Sequence, residues 1–109
     1  MKIQTILLSA FLLALGFAQG YKPKEGYVPD SATAVKIAEA VLVPVYGEKQ
    51  IELERPFAAV LKDNIWTVTG TLRCPDGKGE TTTTHCDGGV AEVKISRNDA
   101  RILYMWHGQ

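Results

Sequence analysis

Two thiols and two imidazoles in the second half of the chain, Cys74, His85, Cys86 and His107, are of the types that bind zinc. Zinc sites usually take two ligands from one short turn, a few residues apart. His85 and Cys86 are adjacent instead, and neighbours on an extended strand point to opposite faces, so the spacing argues against a metal. Asp76-Gly77-Lys78-Gly79-Glu80 has the outline of a calcium loop, but Lys78 stands where an oxygen ligand is needed. The same residues are too short for a phosphate-cradling loop and lack its strand–loop–helix setting. A solvated turn is the simpler reading, and no cofactor is expected.

Nucleophilic chemistry is equally thin. Cys74 and His85 are the types of a thiol–imidazole pair, but a partner cysteine is at hand. After residue 20 the serines are Ser31 and Ser96, at a helix start and a strand end, and neither lies in a Gly-x-Ser-x-Gly elbow. Glu52 and Glu54 alternate on what reads as a wet face, and the threonines at 81–84 suit a solvated edge strand. Trp66 and Trp106 each fall in an inward-facing series and are expected in the core. No base, nucleophile and oxyanion site come together, so the protein is expected not to be an enzyme.

The elements that must carry these residues follow from periodicity. Residues 21–29, with Pro23, Gly26 and Pro29, read as a flexible or extended lead-in. Asp30 and Ser31 are good helix caps, and Ala34, Ile37, Ala38, Val41 and Leu42 recur at helical spacing. Pro44 should kink or end that helix, with Gly47 as its stop. Residues 51–54 form a weak strand candidate, and 57–61 a compact apolar strand. Asp63-Asn64 makes a tight turn. Residues 65–72 alternate, with Trp66, Val68, Gly70 and Leu72 on one face. Residues 73–89 are a long Gly- and Thr-rich connection. Residues 90–96 then put Ala91, Val93 and Ile95 inward, Asn98-Asp99 turns the chain, and 101–107 put Ile102, Tyr104 and Trp106 on one side. The expected class is α+β, one N-terminal amphipathic helix packed on a curved antiparallel sheet of about four strands.

Residues 1–20 have the layout of a cleavable signal: Lys2, an uncharged apolar run through 3–17, then small residues at Ala18 and Gly20 before Tyr21. Gly16 and Ala18 offer a second site before Gln19. The run falls short of the roughly 20 apolar residues that span a membrane, and no cysteine near the junction would take a lipid. The expected layout is a signal at 1–20, a lead-in at 21–29 and one domain at 30–109, with no membrane contact after cleavage and a periplasmic or secreted destination. Basic and acidic side chains number 12 each, which leaves no basic stripe for nucleic acid.

Cys74 and Cys86, an even pair in an exported chain, read first as one disulfide. An ideal hairpin with its tip at 76–79 would leave the two cysteines roughly 16 Å apart at strand rise, against a Cα limit of about 7 Å. Either the loop is irregular and stapled at its base, or the pair is not bridged; export and the even count favour the stapled loop. Such a bridge contributes on the order of 3 kcal/mol.

Pro29 with 32–40, Pro44-Val45-Tyr46-Gly47, Arg55-Pro56-Phe57, the stretches 65–72 and 88–93, and the close from Ile95-Ser96 through Ile102-Leu103 to His107-Gly108 together resemble the bacterial immunity proteins of polymorphic-toxin systems, which have a nuclear-transport-factor-2-like fold. The resemblance implies a reduced version of that fold, binding and blocking a cognate toxin encoded next to it, without catalysis. Only one clear helix is available to cover the sheet, which argues against a deep pocket. The stapled loop, with Asp76, Lys78, Glu80, His85 and Asp87, is the candidate contact surface, because a rigid exposed loop loses little entropy on binding. The alternatives are a small-ligand binder or cavity enzyme with Tyr46, Tyr104 or Asp99 at a pocket, and an inhibitor of an external hydrolase.

Overall fold

The computed structural model describes residues 20–73 and 89–108. Residues 1–19 of the signal expected at 1–20, Cys74 and Cys86, and the loop candidates Asp76, Lys78, Glu80, His85 and Asp87 lie outside the described residues.

Asp30 opens the first helix. Its backbone is extended, and its carboxylate accepts the Thr33 N–H at 2.8 Å, satisfying a donor that a helix start leaves bare. Helix α1 (Ser31–Tyr46) buries Ala34, Ala38 and Leu42, the small residues letting its backbone lie close to the sheet. Pro44 sits inside the helix, which runs on to Tyr46 before Gly47, at φ 93°, closes it with an N–H to the Val43 carbonyl at 2.8 Å.

Residues 51–54 depart from the strand expected there. Residues 51–53 belong to a second helix, α2 (Glu48–Leu53), whose buried anchor is Ile51, and Glu54 caps its end. Glu, Lys, Gln and Leu are all good helix formers. Helical spacing also brings Glu48 and Glu52 to one side, where both pair with Arg55, which reaches Glu39 on α1 as well, at 2.5 Å. The three carboxylates hold the Arg55 guanidinium firmly charged, the Glu39 hydrogen bond foremost.

Four strands follow: β1 (Ala58–Lys62), β2 (Ile65–Thr69), β3 (Ala91–Ser96) and β4 (Ile102–His107), an antiparallel meander in the order β1-β2-β3-β4. Asp63 and Asn64, both at positive φ (53° and 62°), form the two-residue turn that matches strand twist between β1 and β2. Trp66 and Val68 on β2 and Ala91, Val93 and Ile95 on β3 are buried beneath α1, so the expected alternation holds for both central strands. The class is α+β, helix on antiparallel sheet.

On β4 the expected face changes sides. Ile95 pairs with Ile102 but Lys94 pairs with Tyr104, so Leu103 is an extra residue in a β-bulge. Beyond it Met105 and His107 turn inward, opposite Val93 and Ala91, and Tyr104 and Trp106 turn outward, opposite Lys94 and Glu92. Trp106, expected in the core, is 47% exposed, while Trp66 is 6% exposed.

The second half of the 21–29 lead-in is fastened to the domain. Tyr27 and Val28 donate to the Asn98 and Arg97 carbonyls at 3.1 and 3.0 Å, Val28 is buried, and its carbonyl accepts the Trp66 indole N–H at 2.8 Å.

Candidate functional site

Glu54 is the one buried charged side chain among the described residues. It leaves α2 as the chain bends toward β1, so its carboxylate reaches the end of the sheet where β2 finishes and β3 starts. One oxygen accepts the Ala91 N–H at 2.6 Å. The other accepts the Gln50 amide at 2.9 Å and faces His107 Nε2 at 2.8 Å. His107 Nδ1 faces the Gly108 carbonyl at 2.6 Å, and the Tyr46 ring lies 5.2 Å away, centroid to centroid.

Gly70 abuts this centre: a Cβ there would stand 2.9 Å from Glu54 Oε1. Gly89 and Gly108 touch backbone to backbone, and a Cβ on Gly89 would collide with Gly108. Both close approaches require residues without side chains.

Both ring nitrogens of His107 face acceptors, an arrangement that favours the doubly protonated ring. Burial works against the charged ring, but the Glu54 carboxylate and the Gly108 carbonyl outweigh it and hold His107 above the ordinary histidine range. In the doubly protonated form neither nitrogen has a lone pair for a substrate's proton. The pair is built as a brace joining α2, β3 and β4.

The sequence placed Glu54 on a wet face and His107 among zinc candidates, and did not connect them. The one signal, and a conditional one, concerns Gln50: once 48–53 is helical, Gln50 and Glu54 are four apart and share a side, whereas no local spacing ties Glu54 to His107. Among the described residues no three His, Cys, Asp or Glu side chains gather as a metal site. Tyr46, Tyr104 and Asp99, expected at a pocket if the protein were a ligand binder, do not converge. Tyr46 packs on His107, Tyr104 is on the outer sheet face, and Asp99 braces a turn. The Arg101 N–H and the Ser96 hydroxyl hold the Asp99 carboxyl below the usual range, the backbone bond to Arg101 being 3.1 Å.

The second feature is the sheet face turned away from α1. Among the described residues nothing covers it. Val60 is 66% exposed and lies in a row with Thr67, Lys94 and Tyr104; Trp106, Glu92 and Thr69 form the next row. Trp106 donates its indole N–H to Glu92 at 3.0 Å, the Tyr104 and Trp106 rings are 6.4 Å apart, and Lys94 Nζ sits 5.9 Å over the Tyr104 ring. Large apolar side chains are thus held in fixed positions on an exposed surface, the composition of a protein contact.

A family model described as NTF2 fold immunity protein matches residues 33–109. The chain is also 30% identical, over 95 residues, to the uncharacterized protein YhhH of Escherichia coli (strain K12), an alignment covering 84% of this chain and 65% of that protein. The chain thus spans somewhat less than two thirds of that relative's length. No solved structure matches it. The helix-on-sheet architecture agrees with the family match, and the chain belongs to the NTF2 fold immunity protein family.

Proposed function

We propose that this protein is exported and neutralises a cognate toxin by protein–protein contact through the open sheet face, without catalysis. Membership of an immunity family carries toxin neutralisation in general. The observation supporting this surface is the exposed, pre-positioned set Val60, Tyr104 and Trp106. Aromatic side chains of this kind supply most of the energy of protein contacts while losing few rotamers. The occupied nitrogens of His107 favour a binding role over a chemical one. Export rests on the signal-like residues 1–20, and implies that the toxin is met in the periplasm or outside the cell. The loop residues Asp76, Lys78, Glu80, His85 and Asp87 are a second candidate contact.

The test is calorimetric titration of the protein against the product of the neighbouring gene. Trp106→Ala and Tyr104→Ala are expected to weaken binding at least tenfold, and Asp76→Ala with Glu80→Ala tests the loop. Full affinity in the two aromatic variants, with loss in the loop variants, would move the contact to the loop. Absence of binding to that product would remove the pairing itself.

A further inference from the structure

Strand β1 is an edge of the sheet, and the two-residue turn at its end fixes which of its backbone groups are used. Lys62 and Ile65 flank that turn and form a hydrogen-bonded pair, so the bonding pairs along the hairpin are Lys62–Ile65, Val60–Thr67 and Ala58–Thr69. The N–H and C=O groups of Ala59 and Leu61 therefore point away from β2. Among the described residues no strand pairs with that edge. Proteins usually protect such an edge with charges, proline or a bulge; β1 has only Lys62, at its end. The opposite edge, β4, carries the bulge.

Beside this edge runs an open groove of about 590 Å³ between α1 and β1, lined by Ser31, Val35, Lys36, Glu39, Phe57 and Ala59 among others. It lies on the helix side of the sheet. Leu61 points to the same side, opposite buried Trp66, yet is 39% exposed.

We propose that two copies of this chain pair through β1, antiparallel about a two-fold axis at Val60, making one eight-stranded sheet. In that register Ala59 of one copy bonds Leu61 of the other in both directions, using four donors and four acceptors that β2 leaves free. The two Val60 side chains, the most exposed of the sheet's large apolar residues, meet on the open face. Each Lys62 lies opposite a small residue, Ala58, so no like charges are paired. Leu61 of each copy stands beside Ala59 of the other, where its side chain enters the partner's α1–β1 groove. The pairing is isologous and closed, and ends at a dimer.

Sedimentation equilibrium of the purified full chain at 10–100 μM, on the order of typical weak self-association, is expected to give a dimer. Amide exchange at Ala59 and Leu61 should slow as concentration rises. Ala59→Pro removes one outward N–H without touching the bonds to β2, and Val60→Lys sets two charges face to face. Each is expected to raise the dimer dissociation constant at least tenfold while circular dichroism stays native. A monomeric wild type, or a dimer that both variants leave unchanged, would overturn the pairing. A monomeric wild type whose toxin binding is lost on Ala59→Pro would likewise overturn it and give the edge to a strand of the toxin.

Discussion

At the scale of single residues, Glu54 and His107 decide how stability depends on pH. The folded His107 is held above its ordinary value of 6.5 by its two acceptors despite burial. Its contribution is therefore fully present below about pH 6.5 and is lost as pH rises through the higher folded value. Urea midpoints measured from pH 5.5 to 8.5 are expected to fall over that window, and His107→Gln should flatten the profile. Glu54→Ala strands the Ala91 N–H and the imidazolium together, at a cost of about 3 kcal/mol. Neither residue announced this role in the sequence. A buried carboxylate is recognised by its partners, and Glu54 draws them from positions 50, 91 and 107.

At the scale of elements, legibility followed the reach of the signal. Helix α1 and the central strands β2 and β3 each bury one face against one neighbouring layer, so their periodicity is written locally. Helix α2 is too short for a period to show, and Ile51 and Leu53 imitate a strand, although Leu53 is 60% exposed. The bulge at Leu103 is a matter of register with β3, which no stretch of β4 records alone. It separates the two tryptophans energetically. Trp66→Phe leaves the Val28 carbonyl without its indole donor and is expected to cost about 1–3 kcal/mol, whereas Trp106→Ala should stay within about 0.5 kcal/mol. Urea unfolding of the two variants measures the contrast. Iodide quenching should reach Trp106 and spare Trp66.

At the scale of the whole molecule, the helices cover one face of the sheet, and among the described residues the other stays open. The family and the helix-on-sheet class were both readable from residue order. The exposed aromatic face was not, because it exists only after the bulge has turned Tyr104 and Trp106 outward. A β1-paired dimer would join two such faces into one surface with the Val60 pair at its centre, so one assembly would present two sets of Tyr104 and Trp106. Formal charges that balance over the chain add no long-range repulsion against that assembly.

The meander also has a kinetic consequence. β1 and β2 are separated by two residues and β3 and β4 by five, whereas β2 and β3 are joined only across residues 70–90. Two hairpins thus close quickly and locally, and the joining of β2 to β3, with the larger loop entropy, is the slow step. Substitutions at the β2–β3 seam, such as Val68→Ala and Val93→Ala, are expected to slow refolding in stopped-flow measurements. Asn64→Gly, which eases the turn within one hairpin, should leave that step almost unchanged.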